Sequence, residues 1–174
     1  MGGGIEHGRV IQKGLTMMFA QDRLKQAIQT VKEQEYHKLV LLVGDFSSGK
    51  TQLMRLVCDE MGGAYLNVNL ELTRQLLTID ARTYTTKASD LLKDLCDAQE
   101  PDRPLFLDNI ELLFSPEVGR LNPVDLFKKV SRERVVVLSL PCRLTGRARA
   151  EYSEPGRPDH MNLDLSGFTV IELE

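Results

Sequence analysis

The stretch from Leu39 to Arg55, LVLLVGDFSSGKTQLMR, leaves a chain of this kind few ways to fold. Leu39 to Val43 is a short run of apolar residues only, as expected of a strand buried on both faces of a parallel sheet. Gln52 to Cys58 then places Leu53, Leu56 and Val57 at helical spacing. Between strand and helix lies Gly44-Asp45-Phe46-Ser47-Ser48-Gly49-Lys50-Thr51, a full match to G-x-x-x-x-G-K-[ST]. Glycine at both ends lets such a loop curl so that its backbone N–H groups converge on an anion. The helix that follows adds the partial positive charge of its N-terminus.

These residue types suit a nucleotide. Gly44 through Gln52 would surround the phosphates of ATP or ADP. Lys50 would reach the β- and γ-phosphates as a mobile point charge. The Thr51 hydroxyl would join the oxygen ligands of a Mg²⁺. Asp45 and Phe46 occupy the variable positions of the pattern, and their choice follows from no rule of phosphate binding.

A partner for the metal is expected further on. Pro101-Asp102-Arg103-Pro104 breaks the chain, and Leu105-Phe106-Leu107-Asp108-Asn109 follows. This is a Walker B-like strand, whose terminal Asp108 would hold Mg²⁺ through the metal's water shell. In many ATPases of this architecture a Glu comes next and activates water. Here the position is Asn109, whose amide orients water but takes no proton, and Glu111 is the next acid. Ser139, at the end of a fourth strand, is small and polar enough to touch a γ-phosphate. Arg143, Arg147 and Arg149 follow it, and a guanidinium there would stabilise charge on a transferred phosphoryl group of a neighbouring subunit, Arg143 first. Slow or partner-dependent hydrolysis of ATP is expected.

The rest of the chain supplies further alternating elements. Leu24, Ala27, Ile28 and Val31 form a helical stripe beginning around Met17. Gly62-Gly63 ends the helix after the glycine loop. Ala64 to Val68 reads as a strand and Leu70 to Leu77 as a short helix. Ala88, Leu91, Leu92, Leu95 and Cys96 share a helical face, capped by Thr85 or Thr86. Asn122-Pro123 opens a helix through Val124, Phe127 and Val130. Val135 to Leu138 and Phe168 to Ile171 complete five strands, so the expected fold is α/β with a mainly parallel five-stranded sheet flanked by helices. Residues 1–16 read as a flexible tail, 17–174 as one domain and 141–160 as a long loop or lobe.

Composition narrows the setting. The 174 residues suffice for one domain with a sizeable core. No apolar run is long enough to span a bilayer, and Met1 to Glu6 has no apolar signal core, so the cytoplasm is the expected compartment and no membrane is expected as a partner. Cys58, Cys96 and Cys142 fit no zinc or disulfide spacing, and Cys58 and Cys96, on apolar helical faces, read as small core residues. The net charge of −3 opposes non-specific nucleic-acid binding by the whole surface, so any contact with DNA is expected to be indirect. Residues 120–157 are the exception, with nine Lys or Arg against four Asp or Glu.

The chain resembles the BrxF family, the small P-loop proteins of type 3 BREX bacteriophage-exclusion systems. The resemblance runs from about Met17 to the C-terminus. It is carried by Gly44–Thr51, by Tyr65-Leu66-Asn67-Val68-Asn69-Leu70-Glu71-Leu72, by Leu107-Asp108-Asn109-Ile110-Glu111-Leu112-Leu113-Phe114 and by Tyr152-Ser153-Glu154-Pro155-Gly156-Arg157-Pro158-Asp159. It implies an AAA+-like P-loop NTPase core without a helical lid domain. It also implies a role in defence against phage DNA alongside larger BREX proteins, among them a larger ATPase. A nucleotide-dependent homo-oligomer is expected, because the open site needs a neighbour to cover it. Two other functions fit the same residues. One is a nucleotide-gated interaction module with little hydrolysis. The other is a small-molecule kinase of P-loop type, with residues 141–160 as its lid.

Overall fold

The computed structural model describes residues 4–174. Five parallel strands form the main sheet: β1 (Leu39–Val43), β2 (Ala64–Asn67), β3 (Leu105–Asp108), β4 (Val136–Leu140) and, last in the chain, β8 (Thr169–Glu172). Their spatial order is β2-β3-β4-β1-β8, every neighbouring pair parallel. Strand β1 is therefore internal. The chain leaves it for the far edge, works back through β3 and β4, and ends on its other side at β8. Strand order reverses beside β1, and in open α/β sheets such a reversal opens a crevice at the carboxyl ends of the strands.

The alternation of side chains along each strand sorts the core into two halves. Leu39, Leu41, Val43, Leu105, Leu107, Leu138 and Leu140 face one side. Helices α3 (Val68–Leu76), α4 (Tyr84–Asp97) and α5 (Pro123–Val130) cover it with Leu72, Leu92 and Phe127. Val40, Leu42, Phe106, Val137 and Ile171 face the other side. There α1 (Gly4–Gln34) and α2 (Lys50–Met61) pack with Leu24, Ile28, Leu53 and Val57. A sheet covered on both faces favours nearly continuous apolar strands, and β1 and β4 are buried at every position, Ser139 of β4 included.

Several boundaries differ from those expected. Helical backbone begins at Gly4, well before Met17, and no proline interrupts residues 1–34. Of the tail expected over 1–16, residues 1–3 and the side chains up to residue 15 lie outside the described residues. Strand β2 stops at Asn67 rather than Val68, because the Asn67 side chain accepts a hydrogen bond from the Leu70 N–H (3.1 Å) and caps α3. Thr85 and Thr86 lie inside α4, whose N-cap is Thr83. Ser139 is the fourth residue of β4 and not its end. Gly62 ends α2 in the left-handed conformation (φ 65°), as its position after the apolar stripe leads one to expect.

The largest departure is the segment expected as a loop. Strands β5 (Arg143–Gly146), β6 (Arg149–Tyr152) and β7 (Met161–Asp164) form a second, antiparallel sheet between β4 and β8. Leu144, Ala150, Tyr152, Met161 and Leu163 turn inward. Tyr152 stacks on Phe114 with ring centroids 3.9 Å apart, which ties this sheet to the turn after β3. All three cysteines are free and buried, and burial pushes the Cys96 and Cys142 thiols up to about 12. Among the described residues no helix is long and apolar enough to cross a membrane.

Candidate functional site

The glycine loop leaves the carboxyl end of β1 and enters α2, whose first residue is Lys50. Gly49 sits at φ 87°, a left-handed turn that a side chain would strain. Gly44 is needed for a different reason: a Cβ there would lie 2.6 Å from the Leu173 carbonyl oxygen and 2.7 Å from Ser48 Oγ. The loop is therefore wedged against the C-terminal strand. Within it, Ser48 closes a small turn, its N–H (3.1 Å) and Oγ (2.7 Å) both donating to the Asp45 carbonyl. The N–H groups of Lys50, Thr51 and Gln52 open α2, a helix end whose first donors have no partner within the helix.

Lys50 is only 6% exposed. Its ammonium folds back into the loop, donating to the Gly44 carbonyl, the Asp45 carbonyl (2.6 Å) and Ser48 Oγ (3.2 Å). Burial pushes its pKa below the usual lysine value, against the attraction of Asp108, Asp45 and Glu111. The lysine thus occupies the cradle as a cation held by weak carbonyl partners, which an anion of higher charge would displace.

Asp108, the last residue of β3, is 3% exposed. Its Oδ2 accepts from Thr51 Oγ1 (2.6 Å) and from the Tyr65 hydroxyl (2.7 Å), and its Oδ1 from the Asn109 N–H (2.9 Å). Residues distant in the chain thereby meet at one carboxylate. Phe106 and Val137 face α2, so by alternation Asp108 and Ser139 do too. Leu107 pairs with Leu138, which puts Asp108 and Ser139 one step further along adjacent strands. Ser139 is buried and pairs with Leu42 of β1. The donor set of Thr51 and Asp108 is oxygen only, the chemistry of a hard divalent cation.

The turn after Asp108 is irregular and firmly held. Asn109 adopts φ 53°, a left-handed conformation that asparagine tolerates. Its carbonyl accepts from the Asn69 N–H (2.8 Å). The Asn69 side chain grips the same turn at both ends. Its Nδ2 donates to Glu111 Oε2 (2.6 Å), and its Oδ1 accepts from the Leu112 N–H (2.9 Å). Glu111 is therefore turned toward the site, within the electrostatic reach of Lys50, but engaged by Asn69.

The remaining candidates stand apart. Phe46 is 74% exposed at the loop tip, and Gln52 is exposed on α2. Arg143, on β5, donates to Glu151 Oε2 (2.6 Å) across the small sheet. Arg147 lies in the β5–β6 turn and Arg149 on β6, both exposed. His160 Nε2 lies 2.8 Å from the other Glu151 oxygen, and these two partners, His160 first, hold the Glu151 carboxyl below the usual carboxylate range.

Sequence reasoning assigned no role to Tyr65 or Asn69, although both lie in the YLNVNLEL segment. Their signal is only spatial, since β2 runs beside β3 with Asn67 opposite Asp108. Burial first, then the bond to Asp108, pushes the Tyr65 phenol up to about 12. The Arg55 guanidinium lies over its ring, 4.2 Å from the centroid.

No family model matches the chain, and no curated protein matches it. Among solved structures it is similar to that of C. elegans PCH-2, at 14% identity and a TM-score of 0.37. That overlap covers 78% of this chain and only 38% of the other, too shallow a likeness to assign a function.

Proposed function

We propose that the chain is a P-loop NTPase that binds ATP or ADP with Mg²⁺ and hydrolyses ATP slowly or on stimulation by a partner. One observation carries this reading: Thr51 and Asp108, at the ends of two different elements, meet at 2.6 Å directly beside the buried Lys50. Gly44 through Gln52 hold the phosphates, with Lys50 leaving its carbonyl partners for them. Thr51 directly, and Asp108 through water, would hold the Mg²⁺, which supplies charge neutralisation at the phosphates. Asn109 and Ser139 orient the attacking water and the terminal phosphate by hydrogen bonds. Glu111 is the next acid along the chain after Asp108, and Asn69 keeps it engaged.

That engagement also favours a second reading, a nucleotide-gated interaction module that binds ATP and hardly turns it over. In either case the chain acts as a nucleotide-dependent oligomer or docks on a larger ATPase, as the resemblance to BrxF implies for anti-phage defence. An arginine of the small sheet serves the neighbour's phosphates. Arg143 is tied to Glu151, so exposed Arg147 becomes the first choice.

Sedimentation with and without ATP and Mg²⁺, with phosphate release followed in parallel, tests both readings. ATP-dependent association with measurable release supports the ATPase, and association without release supports the module. A chain that neither binds nucleotide nor changes its sedimentation is neither.

A further inference from the structure

The hydroxyl of Tyr65 is 2.7 Å from Asp108 Oδ2, the oxygen that Thr51 Oγ1 also reaches at 2.6 Å. Two hydroxyl donors on one oxygen of a buried carboxylate answer two different needs. Thr51 sits on the first turn of α2, and in the reading above its oxygen turns to the metal. On a metal the Thr51 hydroxyl keeps its proton and can still donate to Asp108, but its place then follows the metal. Tyr65 is the donor whose place is set by β2 instead.

We infer that Tyr65 is a positioning residue for the metal site, its hydroxyl holding the Asp108 carboxylate in the orientation that receives Mg²⁺. The inference rests on the nucleotide-binding reading of the same site.

The surroundings of Tyr65 are built for such a task. Its backbone is fixed in β2, paired with Phe106 of β3 two residues before Asp108. Tyr65 is partly buried against the core between the sheet and α2. Arg55, one turn after Thr51 on α2, lies over the ring face at 4.2 Å. A cation over a phenol ring draws electron density from it and strengthens the hydroxyl as a donor. Helix α2 thus contacts the carboxylate twice, directly through Thr51 and through Arg55 and Tyr65. Hydrogen-bond partners that orient the groups around a metal typically contribute about 10- to 100-fold to its affinity, and here the carboxylate they orient acts through the metal's water.

The test is calorimetry of ADP binding to the wild-type chain and to Tyr65→Phe, over a Mg²⁺ series and in EDTA. Phenylalanine keeps the ring and its contact with Arg55 and removes only the hydroxyl. Metal-free ADP affinity should be unchanged within about twofold, while the Mg²⁺ concentration that gives half of the metal's effect rises about 10- to 100-fold. An unchanged or lower Mg²⁺ requirement overturns the inference, as does an equal loss with and without metal. If the wild-type chain binds no nucleotide in any condition, it is the underlying reading that has failed. Should Tyr65→Phe not fold, the Tyr65 ring resonances of the wild-type chain are followed instead. Addition of ADP with Mg²⁺ should shift them and ADP with EDTA should not; identical spectra in the two conditions overturn the inference.

Discussion

Lys50→Ala separates binding from stability. In the nucleotide-free chain the ammonium has three partners: the Gly44 and Asp45 carbonyls and Ser48 Oγ. Hydrogen bonds to a charged group contribute about 1.5–3 kcal/mol each, against a burial cost of several kcal/mol for the ion. Desolvation is large here, since the residue is 6% exposed and burial outweighs the attraction of three carboxylates in setting its pKa. The two effects nearly cancel, so removing the side chain should change folding stability by no more than about 1 kcal/mol, or roughly 2–4 °C in Tm for a chain of this size. The Asp45 carbonyl is freed where water reaches it, and water entering the space that the side chain leaves can serve the buried Gly44 carbonyl. Nucleotide binding has no such compensation. Truncating one member of a buried charge pair costs about 2–5 kcal/mol, which is about 30- to 4,000-fold in Kd. Thermal unfolding and calorimetric titration with ATP and Mg²⁺ on the same preparation read the two quantities. A folded variant with wild-type affinity would refute the assignment of the loop. A variant that fails to fold would refute the cancellation.

Four further outcomes follow from named contacts. Asp108→Ala should reduce affinity for ATP with Mg²⁺ and leave metal-free ADP binding nearly intact; equal losses by titration in both conditions would make Asp108 a structural residue. Asn69→Ala removes the bonds to Glu111 and Leu112 and should lower stability in urea by about 1–3 kcal/mol while phosphate release rises; a fall in release would mean that Asn69 aims Glu111 rather than restrains it. Glu151 is held below its ordinary value, 4.5, by His160 and Arg143, so its contribution to stability is present above that value and is lost as pH falls through the lowered one. Urea midpoints of wild type and Glu151→Gln should therefore differ at pH 7 and draw together as the pH falls below the ordinary carboxylate range, and a gap that does not narrow in acid would contradict the linkage. Mixing Lys50→Ala with Arg147→Ala should restore part of a turnover that each lacks alone, since an arginine supplied in trans is worth about 10³–10⁵ in rate; wild-type turnover in Arg143→Ala, Arg147→Ala and Arg149→Ala alike would leave the small sheet without that role.

The five strands and the helices of the main layer were legible because their signals are local. Leu39 to Val43 is wholly apolar because both faces of β1 are covered, and Leu53, Val57 and Gly62 report burial and termination within a few residues of themselves, whereas Leu56 of the same stripe is exposed. The glycine loop was legible for the same reason: a tight turn and a helix start need particular residues at fixed offsets. The antiparallel sheet over 143–164 was not, since strands of four residues turn inward only two apolar side chains at most, too few to set a period. Its place is set by long-range packing, above all Tyr152 on Phe114. The outer parts of the candidate site were hidden in the same way. That Asp108 ends a strand can be read from its neighbours, but that Tyr65 and Thr51 share one of its oxygens depends on β2 and α2 both lying beside β3. Asn69 and Glu111 meet only because β2 runs parallel to β3 in a register that sets Asn67 against Asp108. Arg143, free in the sequence, is held by Glu151 because β5 and β6 pair in a register that sets the two residues opposite. Residue types and short offsets fix what a segment can do by itself; strand order and register decide which side chains meet, and neither is written at any single position.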